Sequence, residues 1–79
     1  MTMNDYLKRI TINEKMCNGK PTIRGKRITV QTILEFLSAG ESRKEILKQY
    51  PSLEDADITA CLMFATELMN HNYILRKVA

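Results

Sequence analysis

"TVQTILEFLSAGESRKEILKQYPSLEDADITACLMFATELM", residues 29 to 69, carries apolar stripes of helical period separated by two breaks, and its punctuation decides the fold. Val30, Ile33, Leu34 and Leu37 fall at i, i+3, i+4 and i+7, one face of an amphipathic helix. Thr29 can cap the start of that helix and Gly40 can end it. Ser42-Arg43-Lys44-Glu45 has the form of a capping box and opens a second helix with Ile46, Leu47 and Tyr50. Pro51 stops it. Ser52 is placed to cap a third helix, whose first turn holds Glu54 and Asp55, both favourable against the helix dipole. Its stripe is Ile58, Cys61, Leu62, Ala65, Leu68 and Met69. Short connections make these segments a three-helix unit with a helix-turn-helix look.

With Ile58 at the origin of a helical wheel, that stripe centres near about 340° and Met63 falls near about 140°, on the far side. Met63 therefore asks for cover, and a partner chain is one candidate; the other reading is a single exposed apolar residue, which is ordinary.

Upstream, Ile10 and Ile12 alternate with polar neighbours, the period of a short half-buried strand. Residues 22–24 and 27–30 flank Gly25-Lys26 and read as a β-hairpin, with a type II′ two-residue turn and Ile23 facing the same side as Ile28. The expected fold is mainly α: a three-helix unit (30–70) preceded by a short N-terminal strand and β-hairpin arm (1–30), with a C-terminal tail (71–79), all in one domain.

A chain of 79 residues builds only a thin core, and such chains usually rely on disulfides, a metal or a partner subunit. Cys17 and Cys61 are far apart, no CxxC pair exists and His71 is the only imidazole, so neither a disulfide framework nor a metal site is suggested. Association with another chain, a homodimer first, is the remaining support. The N-terminus lacks the apolar stretch of a signal peptide and no run is long enough for a membrane span, so the expected setting is cytoplasmic, without a membrane partner.

The net charge is +3, unevenly spread: residues 1–30 hold seven of the twelve Lys and Arg, whereas residues 51–72 hold four acids and no Lys or Arg. Lys20, Arg24, Lys26 and Arg27 crowd the hairpin. The spacing is wrong for a phosphate-cradling Walker loop: five residues separate Gly19 from Gly25, Arg27 stands where a hydroxyl should bind magnesium, and Pro21 removes an N–H. As hairpin neighbours, Arg24 and Arg27 would cost about 0.2 to 1 kcal/mol by like-charge repulsion. The cluster is either a solvated turn or a site for an external anion such as a DNA phosphate.

The order "RITIN…GKPTIRGKRITV…ILEFLSAGESRKEILKQYPSLEDADITACLMFA" resembles the small prokaryotic family known as domain of unknown function 433. Its pattern is a strand, then G-K-P-x-I-x-G-T-R-x-x-V, then helices carrying A-G and Y-P-x-L. Gly19, Lys20, Pro21, Ile23, Gly25, Arg27, Val30, Gly40, Tyr50, Pro51 and Leu53 fall on that pattern, over roughly residues 8 to 66. Lys26 departs from it, standing where the family usually has Thr. The resemblance implies a homeodomain-like helix-turn-helix unit and a dimer. It also implies an antitoxin of a type II toxin-antitoxin pair, whose partner would be a toxin similar to PIN-domain ribonucleases.

In an ordinary helix-turn-helix the first turns of the third helix enter the major groove, but here they carry Glu54, Asp55 and Asp57. Three acids without a nearby cation would repel the DNA backbone. The expected DNA contacts are therefore Lys20, Arg24, Lys26, Arg27 and Arg9 on the arm, with Lys44 on the second helix. Glu54, Asp55, Asp57 and Met63 are the expected contacts to a protein partner, although the acids could equally serve only their helix N-terminus. No catalytic residue, cofactor or small-molecule substrate is suggested: His71 stands alone, and Cys17 lacks a paired base. Three functions remain open: an antitoxin that neutralises a PIN-like ribonuclease and binds its operator, a stand-alone helix-turn-helix regulator, and an oligomerisation or adaptor module that never meets DNA.

Overall fold

The computed structural model describes residues 2–70, so the expected C-terminal tail, His71 included, lies outside the described residues. The chain is mainly helical. In order it forms α1 (Met3–Leu7), β1 (Ile10–Thr11), a single 3₁₀ turn (Cys17–Gly19), β2 (Thr22–Ile23), α2 (Val30–Ser38), α3 (Arg43–Gln49) and α4 (Asp55–Met69).

The punctuation of the three long helices works largely as the sequence predicts. Thr29 accepts the Thr32 N–H at 3.1 Å and opens α2. Gly40, at φ +91, closes it in a Schellman motif, with Gly40 N–H on Leu37 O and Glu41 N–H on Phe36 O, both at 3.0 Å. Ser42 accepts the Glu45 N–H at 3.1 Å and opens α3. The start of α4 differs. Its N-cap is Glu54 rather than Ser52, and the Asp57 carboxylate reaches back to accept the Glu54 N–H at 2.7 Å.

The arm also differs in detail. β1 pairs antiparallel with β2, Ile10 opposite Ile23 and Thr11 opposite Thr22, and Thr22 forms a further bridge to Thr29. The Ile23 N–H donates to Ile28 O at 3.0 Å, the register expected for the hairpin. Its turn, however, is centred on Arg24-Gly25, not Gly25-Lys26. The Lys26 N–H closes on Ile23 O at 2.8 Å, and both central residues have positive φ, +47 and +70, as in a type I′ turn. Arginine in the left-handed region is unfavourable by about 1–2 kcal/mol, so something else must hold Arg24 there.

Ile23, Val30, Ile33, Ile46, Leu53, Ile58 and Cys61 form the buried core, bringing the arm and all three long helices onto one centre. Phe36 and Tyr50 close its edge, ring centroids 6.0 Å apart and tilted by 59°. The expected stripe of α4 is only half covered: Ile58 and Cys61 are buried, whereas Leu62, Leu68 and Met69 are exposed. The opposite side of α4 is covered from within the chain. α1 packs on α4, and Ala60, well away from the core stripe on the wheel, is fully buried. Met63 is half-buried, so the surface it was expected to offer to a partner is reduced.

Candidate functional site

The charges of the arm and of α4 meet in one cluster around Asp57, whose side chain is fully buried. Arg24 lays its guanidinium fork across the carboxylate, Nε to Oδ1 at 3.0 Å and Nη2 to Oδ2 at 2.8 Å. Nη2 also donates to the Ser52 carbonyl at 2.9 Å. Arg9, from the residue before β1, places Nη1 between Asp57 Oδ1 at 3.0 Å and Glu54 Oε1 at 2.8 Å. With the Glu54 N–H added, Asp57 accepts four hydrogen bonds. Such geometry is what a buried charge requires: planar, bidentate donors and no leftover lone pair facing an apolar wall. No buried side-chain nitrogen or oxygen among the described residues lacks a partner.

Burial pushes the Asp57 carboxyl up, but the fork of Arg24, the Glu54 N–H and Arg9 outweigh it, so the group sits below the ordinary carboxylate range. Burial, with the nearby negative charge of Asp57 adding to it, pushes the Cys61 thiol up to about 12. Cys61 is therefore a neutral packing residue rather than a nucleophile. Iodoacetamide at pH 8 should modify half-buried Cys17 in the native protein and reach Cys61 only after unfolding; mass spectrometry showing both thiols alkylated at equal rates in the native state would contradict this placement.

A second arginine contact lies on the next turn. Arg43 Nη1 reaches Asp55 Oδ1 and Thr59 Oγ1, both at 3.1 Å, joining α3 to α4. Glu54, Asp55 and Asp57 thus face Arg9, Arg24 and Arg43, three carboxylates against three guanidiniums, with a formal sum of zero.

This revises the residues expected from sequence. Arg9 and Arg24 hold the arm onto α4 and are not free cations of a DNA surface. Asp57 is interior and presents no carboxylate to a partner; Glu54 and Asp55 remain exposed but carry arginines. The clash expected between Arg24 and Arg27 does not arise in that form, because Arg24 turns its side chain to Asp57. The start of α4 is a neutral surface, so the electrostatic objection to DNA at that helix loses its force.

Around the hairpin, exposed Lys20, half-buried Lys26 and exposed Arg27 remain, with exposed Lys44 and Lys48 one turn apart on α3. Among the described residues none of these five forms an ion pair; Lys20 Nζ lies 3.5 Å from Gln31 Oε1, a weak contact. No group of three or more His, Cys, Asp and Glu among the described residues is arranged to hold a metal, and no described helix is long and apolar enough to cross a membrane. The site can therefore do two things chemically: lock the arm to α4, and offer cations to an external anion.

No curated protein and no solved structure matches the chain. A family model described as "Protein of unknown function (DUF433)" matches residues 10–65, from the start of β1 into the second half of α4, taking in Arg24, Arg43, Glu54, Asp55 and Asp57 while Arg9 stands just before it. With most of its length so matched, the chain belongs to that family.

Proposed function

We propose that the protein is antitoxin-like: it binds and neutralises a cognate PIN-like ribonuclease and binds its own operator DNA. The observation that carries the DNA half is the separation of charge roles. Three arginines neutralise the acids of α4, and among the described residues Lys20, Lys26, Arg27, Lys44 and Lys48 are left without ion pairs. Such Lys and Arg on a hairpin and an adjoining helix suit phosphate contacts, which position a protein on a duplex before any base is read. The toxin half is supported by the resemblance of the residue pattern alone.

The same cations support a second reading, a helix-turn-helix regulator with no toxin. Co-expression with the product of the adjacent reading frame, a PIN-like nuclease on the antitoxin reading, separates the two. Co-purification and restored growth are expected for the antitoxin. A nuclease that neither co-purifies nor loses its toxicity rejects that half, while binding of the upstream DNA by this chain alone would then carry the regulator.

A further inference from the structure

Cys17, Asn18 and Gly19 form a run of three left-handed residues, at φ +51, +56 and +77. Asn18 and Gly19 tolerate that region, but a cysteine there is strained. The turn is held by little: the Gly19 N–H donates to Met16 O at 3.0 Å, the Lys20 N–H donates to Cys17 O at 3.1 Å, and none of the three residues belongs to the buried core. Such a turn lies at the low end of local stability and opens without the rest of the chain. Asn18 is exposed, and its side-chain amide has no hydrogen-bond partner among the described residues. It is also the one asparagine of the chain that glycine follows. Asn4 precedes Asp5, Asn70 precedes His71 and Asn72 precedes Tyr73; Asn13 precedes Glu14 and engages its Oδ1 with the Lys15 N–H at 2.9 Å. The difference matters chemically, because a side chain on the following residue hinders attack by that residue's nitrogen on the asparagine carboxamide. Gly19 has none, and the space beside its Cα is open, Glu14 Cα standing 3.7 Å from where a Cβ would lie.

We propose that Asn18 is a modification site at which the native protein deamidates, placing a carboxylate two residues before Lys20. Opening of the turn frees the Gly19 nitrogen from Met16 O and lets it face the Asn18 carboxamide. Having lost its proton to hydroxide, that nitrogen attacks Cγ; the Cγ–Nδ2 bond breaks, and the amide nitrogen leaves as ammonia with a proton from water. The product is a five-membered succinimide. Water then opens the ring. Attack at Cγ restores the original main chain and leaves aspartate, whereas attack at the Asn18 carbonyl carbon leaves the chain running through Cγ as isoaspartate. One water is consumed and one ammonia released, so the step needs no cofactor. Either product carries a negative charge where the chain had none, and isoaspartate adds a methylene to the main chain of the turn. Lys20, which forms no ion pair among the described residues, acquires an anion as a neighbour. Under the DNA binding proposed for this chain, on which this consequence rests, deamidation lowers phosphate affinity as the protein ages.

Timed incubation of the full chain at pH 8.5, followed by peptide mass spectrometry and labelling with an isoaspartyl methyltransferase, tests this. Asn18 is expected to convert faster than any other asparagine, at a rate within about tenfold of that in guanidinium chloride, as for a loop whose opening costs little. The rate should fall at pH 6, where the attacking nitrogen loses its proton less often. Gly19→Ala should slow conversion even in guanidinium chloride, where the fold plays no part. Conversion in the native chain slower than the tenfold limit overturns the proposal, because the turn would then protect Asn18. Faster conversion of Asn4, Asn13 or Asn70 overturns it as well. For the consequence, freshly prepared Asn18→Asp protein should bind the upstream DNA at least about twofold more weakly than fresh wild type at low salt, with the difference shrinking as salt rises. Equal affinity of the two overturns the charge coupling. A fresh wild-type chain that binds no DNA rejects the DNA reading instead, and mass spectrometry decides the modification in either case.

Discussion

Replacing Asp57 by Ala should lower the unfolding free energy by about 3–5 kcal/mol, the usual cost of leaving buried charge uncompensated. Arg24 would lose both arms of its fork, Arg9 one of its two acceptors, and the Glu54 N–H its cap. For a domain of this size, with a stability of about 5 to 8 kcal/mol, that is most of the margin. Urea unfolding followed by circular dichroism measures it; a loss below about 1 kcal/mol would mean that Asp57 behaves as a surface ion pair. The pH dependence has a definite sign. Because the carboxyl sits below its ordinary value of 3.8, its contribution is complete above that pH and disappears as the pH falls through the lower folded value. Wild type should therefore lose stability on acidification below about pH 4 more steeply than Asp57→Asn, which has no proton to gain there. Arg24 separates the ion pair from the backbone. Arg24→Ala and Arg24→Gly both remove the fork, but only Gly accepts φ +47 without strain, so the Gly variant should be the more stable by about 1 kcal/mol.

The parts of this structure that were legible in the sequence are those whose cause is local. Thr29, Gly40 and Ser42 act on backbone groups within a few residues of themselves, and Val30, Ile33, Ile46 and Ile58 mark faces by spacing alone. α1 was harder to see. Thr2 and Asp5 cap it in a reciprocal pair, but a five-residue helix has no room for an apolar stripe, and it exists because it packs on α4. The turn moved by one residue for a related reason. Local preference places Gly first in the turn; an interaction 33 residues away, Arg24 on Asp57, supplies the free energy to hold an arginine there instead. The acids of α4 were visible as charges, yet their neutralisation depends on partners 45 and 48 residues away from Arg9 and 12 from Arg43, and no periodicity reports that pairing.

That pairing determines what to expect of the cations left over. Lys26→Ala combined with Arg27→Ala should weaken binding to the DNA upstream of the reading frame about tenfold or more and reduce the slope of log affinity against log salt by about 1.8, close to 0.9 for each phosphate no longer neutralised. Fluorescence anisotropy at several salt concentrations reads both quantities. Neither residue belongs to the buried core or, among the described residues, to an ion pair, so the double variant should unfold at nearly the wild-type urea concentration. The weaker binding is then not a folding defect. Lys44→Ala with Lys48→Ala measures the share carried by α3. Glu54→Ala gives the complementary sign: it removes an acid whose charge Arg9 offsets, so the locally exposed charge becomes more positive and DNA affinity should rise slightly at low salt. An unchanged salt slope in this variant would show that Lys26 and Arg27 touch no phosphate. The cations of the hairpin would then be only a solvated turn, and the neutral start of α4 would owe its arginines to the stability of the fold alone.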